Sequence, residues 1–298
     1  MKSCRVKSCG IDRNAGETPV SLPSANSVFR SRLYVLSLLL LGTLLSACAP
    51  KHTPLVHRVS ASAEERSSLA SLLLTRDSEI RSLRSLSRVD VTEGKNRSSV
   101  RGAIVFDKPD KFRLELLPLS AAYTLQLLVA QEGAATLLNP ADKQAVQSSS
   151  ASGLLQAALK LPLSERDLMS YFLARVPGRF AVLIQDSSEA RVERDAASSE
   201  MRVLLLASGD QWTVDTTTGL LTSAVLLNRF DKSVDVEFSF FDTRTSAEST
   251  LPGSIVVRLA RQGLEMRFSI ITAKVNQEIP LSLFKVEIPG DYSVIRKN

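Results

Sequence analysis

The chain has 298 residues and a formal net charge of +6, from 37 lysines and arginines against 31 carboxylates. Most of this excess lies in residues 1–47, which contain Lys2, Arg5, Lys7, Arg13, Arg30 and Arg32 against Asp12 and Glu17. The rest of the chain is only about +2, so its composition gives no support to nucleic-acid binding.

The first predicted element is a secretory leader that ends at a cysteine. An almost wholly apolar run over 33–45 follows two arginines, and Ser46 and Ala47 precede Cys48. A basic flank, a short apolar core and small residues before the cleavage site are typical of a signal peptide. The run is too short to span a bilayer comfortably, which makes a retained transmembrane helix the weaker interpretation. An ordinary signal peptide with a chance cysteine is the other alternative.

The segment Leu-Ser-Ala-Cys at 45–48 resembles the lipobox of bacterial lipoproteins. This resemblance implies that Cys48 carries a diacylglyceryl group and becomes the first mature residue. Cys4 and Cys9 leave with the leader, so no disulfide is expected within the mature chain. We predict a leader over 1–47, a lipidated cysteine and tether over 48–62, and a folded domain over 63–298. No cofactor is expected besides the covalent lipid on Cys48.

The tether precedes one amphipathic helix. Residues 49–61 are polar and contain two prolines, and both histidines, His52 and His57, lie there without ligand-type neighbours. Ser62 followed by Glu65 predicts a capping box, and leucines at helical spacing continue to about Leu86. We expect this helix to pack against the domain, although a place on a membrane surface is an alternative.

From Ser87 onwards the apolar residues recur with a period of two. The alternation is clear over 111–116, 125–129, 212–214, 234–240, 255–259 and 264–270, and turn residues separate these segments. Such alternation is typical of antiparallel strands with one buried face. Arg113 falls on the polar parity, and we expect it at a solvated position of the sheet.

Two short helices interrupt the strands. The first is predicted over 150–160 and is broken by Pro162, and the second begins at Ser164 and ends before Pro177-Gly178. The predicted fold class is α+β and mainly antiparallel, with one curved sheet whose concave side is covered by helices. A closed barrel filled by its own side chains is the alternative.

Three stretches resemble the bacterial outer-membrane lipoprotein carrier and receptor superfamily, LolA and LolB. They are Lys108–Ser120, Leu159–Gly178, and Gln211–Val214 together with Leu251–Ile255. The resemblance implies an incomplete, half-open barrel with a hydrophobic cavity under lid helices. It also implies a monomer that binds acyl chains of lipoproteins or other lipids and meets a periplasmic lipoprotein carrier. Cys48 points to the lipid-anchored LolB type, and Ala49 favours the outer membrane, facing the periplasm.

The turn Pro118-Leu119 stands where receptor-type members project a leucine into the membrane, although Ser120 replaces their usual glycine. Strand and helix parity gives the cavity-lining candidates, which are Phe112, Leu114, Leu116, Leu125, Leu127, Leu155, Leu159, Met169, Phe172, Trp212 and Val214. The simpler alternative is that Leu119 folds onto the sheet and that the others fill the core.

The leading hypothesis is therefore a lipoprotein that receives and inserts other lipoproteins, without an enzymatic step. A cell-envelope lipid or glycolipid carrier and a structural envelope scaffold are the alternatives. The mature sequence contains no histidine-centred triad, no metal-ligand cluster and no glycine-rich phosphate loop. An enzyme is therefore not expected.

Overall fold

The protein is described by a computed structural model. It describes residues 58–297 apart from 121–122, 160, 162, 197 and 246–248. At 157–159 it describes only the backbone. The predicted leader, Cys48, Ala49 and both histidines lie outside the described residues. The described residues belong to one compact unit.

Fifteen strands of the described chain form one large sheet. They are β1 (Arg58–Ser60), β2 (Ser82–Glu93), β3 (Asn96–Asp107), β4 (Lys111–Pro118), β5 (Gln126–Gln131), β6 (Ala134–Asn139), β7 (Gln144–Ser148), β8 (Ala190–Asp195), β9 (Glu200–Leu205), β10 (Gln211–Asp215), β11 (Leu220–Leu227), β12 (Val234–Phe241), β15 (Ser254–Leu259), β16 (Leu264–Val275) and β17 (Ser293–Lys297). A separate small hairpin pairs β13 (Arg244–Thr245) with β14 (Thr250–Leu251).

The order across the large sheet is β1-β8-β9-β10-β11-β12-β15-β16-β2-β3-β4-β5-β6-β7-β17. All neighbours are antiparallel except β17, which runs parallel to β7. The sheet curves without closing, so the predicted half-open barrel is confirmed and the closed barrel is wrong. The edge strand β1 lies in the segment that we predicted as tether. The sequence did not indicate this strand, because the pairing with β8 is made by the backbone and leaves no alternating side-chain pattern.

The described helices are α1 (Ala63–Glu79), α2 (Ala151–Leu159), α3 (Glu165–Phe172) and α4 (Gly178–Ala181), with 3₁₀ turns at Val182–Gln185, Ala260–Gln262 and Leu281–Phe284. The predicted capping box is confirmed, since Glu65 N donates to Ser62 Oγ and Ser62 N donates to Glu65 Oε2. The two predicted short helices are confirmed as α2 and α3. None of the described helices is long and apolar enough to cross a membrane.

The prediction that the first helix continues to Leu86 is wrong, because the helix ends at Glu79 and Ile80 is extended. Leu83 and Leu86 belong to β2, a central strand that pairs with β16 and β3 along its whole length. Ser82, Ser85 and Ser87 are buried on this strand, so its sequence lacks the alternation that marks a one-sided strand.

The helices cover one face of the sheet, which we call the inner face, and the buried side chains between them form the inner core. Helix α1 packs closely on the β10–β11 turn. Gly219 there has a φ of +69°, and a Cβ at this position would lie 2.8 Å from Arg76 Cγ. A left-handed conformation and a close approach both require glycine here.

The opposite, outer face of β3–β7 carries a second cluster, formed by Val105, Leu127, Val129, Leu138, Ala145, Ile279 and Phe284. Ile279 and Phe284 come from the segment after β16, which therefore covers part of the outer face. Arg113 lies under this segment, where it donates to the carbonyl of Leu283 (3.1 Å) and pairs with Glu115 (2.7 Å). The expectation of a solvated Arg113 is wrong, since sequence alternation cannot show that a distant segment covers the polar face.

The antiparallel register places the turns at two ends of the sheet. Residues 94–95, 119–120, 123–125, 140–143, 206–210, 228–233 and 260–263 connect strands at one end, which we call the Leu119 end. Residues 108–110, 132–133, 196, 198–199 and 216–219 connect strands at the opposite end.

Candidate functional site

Helix α3 contacts the sheet through two aromatic side chains. The ring of Tyr171 stacks on Phe238 with centroids 4.7 Å apart, and its hydroxyl accepts a hydrogen bond from Trp212 Nε1 (3.0 Å). Burial raises the pKa of Tyr171, so its hydroxyl stays neutral. Phe172 contacts Phe268 edge-on at 5.4 Å. These aromatic contacts hold α3 over β10, β12 and β16.

Most predicted cavity residues lie together where the helical layer meets the sheet. Phe112, Leu114, Leu155, Met169, Phe172, Trp212 and Val214 are all buried in the inner core. Phe172 and Phe112, for example, stack with centroids 6.4 Å apart. The structure thus brings these side chains together, and in this arrangement they contact one another.

Leu116 lies nearer the Leu119 end, where the inner face is less covered. Val91, Val100, Leu116, Leu264 and Met266 are partly exposed there and pack against the inner core. They come from four adjacent strands, β16, β2, β3 and β4, and the register pairs Met266 with Val91. We call these five side chains the apolar strip. They form a continuous apolar wall, because adjacent strands lie only about 4.8 Å apart.

Two other predicted cavity residues, Leu125 and Leu127, lie elsewhere. Leu127 belongs to the outer cluster, so its predicted place on the inner face is wrong. Strand β5 is buried on both faces, and Leu128 and Ala130 occupy the inner one instead. Leu125 is half-buried just before β5. The side chain of Leu159 lies outside the described residues.

The Pro118-Leu119 turn begins the loop at the end of β4. Leu119 is 46% exposed and does not fold onto the sheet, whereas Pro118 is half-buried. The carbonyl of Pro118 accepts a hydrogen bond from Arg101 Nε (3.1 Å). Burial would raise the pKa of Glu115, but hydrogen bonds from Thr124 and Arg113 outweigh it and lower that pKa. The charged Glu115 thereby fixes the far side of the loop through Thr124.

A cleft of about 820 Å³ opens between the helical layer and the Leu119 end of β9–β12. Its apolar lining includes Phe180, Leu205 and Leu226, and its polar lining includes Asp167 and Arg179, which form an ion pair. Of the predicted cavity residues whose side chains are described, none lines this cleft. The signal that could have indicated it is Phe230, an aromatic residue inside an otherwise polar turn.

A polar cluster joins the helical layer to the opposite end of the sheet. Asp77 Oδ1 at the end of α1 accepts hydrogen bonds from Lys108 Nζ (2.8 Å) and from Ser170 Oγ on α3 (3.0 Å). Arg175, just after α3, is 1% exposed and lies 3.4 Å from Glu79 Oε2. Its Nη2 donates to the carbonyl of Thr250 (3.1 Å), whereas Nε and Nη1 have no hydrogen-bond partner among the described residues. Burial lowers the pKa of Arg175 to about 10.

Among the described residues, no group of three or more His, Cys, Asp or Glu side chains is placed to hold a metal ion. The site consists of an apolar inner face, a partly open end and a cleft beside it.

No family model matches this chain, and no curated protein matches it. Solved structures do. A putative outer membrane lipoprotein-sorting protein domain from Vibrio parahaemolyticus is 10% identical, with a TM-score of 0.54, over 75% of this chain and 97% of that one. A LolA superfamily protein from Nitrosomonas europaea is 10% identical, with a TM-score of 0.50, over 76% and 98%. The described domain has a LolA-like fold.

This LolA-like domain is also similar to a DUF1329 family protein from Desulfovibrio piger, with 11% identity and a TM-score of 0.52 over 75% of this chain and 97% of that one. None of these three descriptions names an enzyme. At such low identity the likeness concerns the fold, and the chemistry of this chain has to be argued from its own residues.

Proposed function

We propose that this chain is a lipid-anchored lipoprotein of the outer membrane, of the LolB type, that binds acyl chains and helps to receive and insert other lipoproteins. The observation that supports it most is the apolar strip at the Leu119 end. Five apolar side chains remain partly exposed on the inner face of an otherwise well-packed domain. An acyl chain lying on them would complete the cover that the helical layer leaves unfinished.

Acyl transfer between such surfaces needs no bond to be made or broken. Each buried methylene contributes roughly 0.8 kcal/mol, so a long chain is held by contact with apolar walls alone. Movement of α2 and α3 away from the inner core would add Phe112, Met169 and Phe172 to the same surface. A small difference in affinity between a periplasmic carrier and this domain then sets the direction of transfer.

The proposed anchor is the diacylglyceryl group on Cys48. It would hold the chain at the outer membrane with the domain on the periplasmic side. One acyl chain gives only marginal membrane binding, whereas the several chains of a lipoprotein anchor hold stably. Leu119, which is exposed at the end of β4, is proposed to enter the bilayer when cargo is released.

The decisive experiment is binding of a fluorescent fatty acid to the full chain and to two matched variants. Leu116→Asp places a charge on the apolar strip, and we expect it to weaken probe binding at least about tenfold, because a buried carboxylate would have to be desolvated beside the acyl chain. Leu117→Asp is the control, because Leu117 has a similar exposure on the same strand but faces the other side of the sheet.

Equal probe binding by both variants would contradict the proposed site, and no binding by the wild-type chain would favour a structural scaffold. The delivery role is tested in cells by depleting the chain and fractionating other lipoproteins. They should accumulate outside the outer membrane, and an unchanged distribution would reject that role.

A carrier of envelope glycolipids is a second candidate, favoured by the polar lining of the 820 Å³ cleft. Asp167, Arg179 and Asn228 there can bond a sugar or phosphate headgroup while the acyl part contacts apolar walls. Mass spectrometry of lipid that co-purifies with the chain separates the two candidates.

A further inference from the structure

The Leu119 end exposes large apolar side chains on three separate turns. Leu119 and Tyr123 stand on the β4–β5 loop, Leu206 on the β9–β10 turn, and Phe230 on the β11–β12 turn. Phe230 is 97% exposed, so it has no role in packing the domain. These turns lie on both sides of the central strands β16 and β2, and they flank the end at which the apolar strip is partly exposed.

The Phe230 turn is firmly built despite its exposure. Asn228 Oδ1 accepts a hydrogen bond from Phe230 N (2.9 Å), and Asn228 N bonds the carbonyl of Ser233 (2.9 Å). Lys232 Nζ donates to the carbonyl of Ser208 (3.1 Å), which ties this turn to the neighbouring β9–β10 turn. The phenyl ring is therefore presented outward by a braced turn.

Two cations flank the exposed ring of Phe230, and a third lies on another turn of the Leu119 end. Arg229 and Lys232 flank Phe230 in sequence, and Lys95 lies on the β2–β3 turn. Within the described chain these three have no carboxylate partner. Asp231 does not cancel the charge of Arg229 and Lys232, since it already pairs with Arg261 and accepts from Ser233. An apolar tip flanked by cations matches the layering of a bilayer surface, with hydrocarbon below and phosphate above.

We propose that the Leu119 end is a membrane-docking surface for anionic bilayers. Phe230 would be a second insertion point, on the other side of strands β16 and β2 from Leu119. A protein partner needs a continuous buried patch, whereas these tips stand on separate turns with polar residues between them. A fluid bilayer accepts separate protrusions. Docking at two points would hold the partly open end of the inner face against the lipid.

This inference extends the proposed function, because it places the apolar strip beside the membrane. It does not depend on cargo, however, and its test needs none. The purified full chain is mixed with phosphatidylcholine vesicles, with or without phosphatidylglycerol, that contain lipids brominated on the acyl chain. The reporter is a tryptophan introduced by Phe230→Trp, and Trp212, which is fully buried, supplies a constant background.

The matched control is Phe241→Trp, because Phe241 is an exposed phenylalanine at the other end of β12. We expect a blue shift and bromine quenching for Phe230→Trp, stronger with phosphatidylglycerol, and neither effect for Phe241→Trp. Adding Arg229→Gln or Lys232→Gln should reduce docking by about fivefold per charge. Equal quenching at the two positions, or no quenching for Phe230→Trp, would overturn the inference.

The two proposals fail separately. Quenching at 230 in a chain that binds no fatty-acid probe would leave the docking surface in place and reject the acyl site. Probe binding without quenching at 230 would leave the acyl site in place and reject the docking surface.

Discussion

Trp212 is a fully buried indole whose one donor is used by Tyr171. Replacing Tyr171 with phenylalanine keeps the stacking on Phe238 but leaves the indole N–H buried without a partner. We expect the free energy of unfolding to fall by about 1–3 kcal/mol. Denaturant unfolding measures it, with Tyr123→Phe as the control, because Tyr123 is 62% exposed and its hydroxyl should contribute almost nothing. Equal loss in both variants would contradict the role of this hydrogen bond.

Arg175 is expected to destabilise the closed domain. Its charge is buried, and two of its nitrogens lack partners within the described residues. Its carboxylate partner Glu79 is shared with Arg76 (2.6 Å). Methionine at this position removes the unmet donors and replaces the aliphatic part of the side chain, so Arg175→Met should leave stability unchanged or raise it by about 1–4 kcal/mol.

The pH dependence of this difference has a definite sign. The folded-state pKa of Arg175 is lowered to about 10, below its ordinary value of 12.5. Between these values the unfolded chain holds a proton that the folded chain has lost, so wild-type stability gains with rising pH. The advantage of Arg175→Met should therefore be constant below pH 10 and shrink above it. A difference that is independent of pH in that window would show that burial does not disfavour the charge.

At the scale of elements, the hold of α3 on α1 depends on few polar contacts. Ser170→Ala removes the hydrogen bond to Asp77, and we expect faster hydrogen exchange of the α3 amides, by a factor corresponding to about 0.5–1.5 kcal/mol. The control is Ser78→Ala, whose hydroxyl bonds only the carbonyl of Thr75 in its own helix. If α3 exchange is the same in both variants, the Asp77 contact does not hold the helical layer closed.

The short helices could be predicted from sequence because local signals determine them. Ser164 caps α3 by accepting from Asp167 N (3.1 Å), and prolines mark the boundaries on either side. The end of α1 could not be predicted from sequence, because Leu83 and Leu86 keep a helix-like spacing within a strand that has buried serines. Parity likewise failed for Leu127, since β5 is buried on both faces and alternation then carries no information about which face is inner.

For the candidate site, sequence indicated the residue types but not their exposure. Phe112 and Leu116 share one strand and one parity, yet one is fully buried and the other partly exposed. The difference arises because the helical layer covers only part of the inner face, which is a property of the whole molecule. The cleft could not be predicted for the same reason, because its lining comes from segments that are distant in sequence.

At the scale of the whole molecule, the sheet consists of two blocks of strands, β8–β16 and β2–β7, and they meet at one junction. That junction is the pairing of β16 with β2, which joins residues 264–275 to residues 83–93. The two strands are far apart in sequence, so the loop between them closes slowly. Until β16 pairs with it, β2 has an unpaired edge. The domain should therefore fold on the millisecond-to-second scale that is typical of non-local sheets. Pulse-labelled hydrogen exchange should show the β2–β16 amides protected after those of the β3–β4 hairpin. In the exported lipoprotein that we propose, a newly translocated chain would carry this unpaired edge until β16 pairs with it, and during that interval a chaperone would determine its survival more than its final stability does.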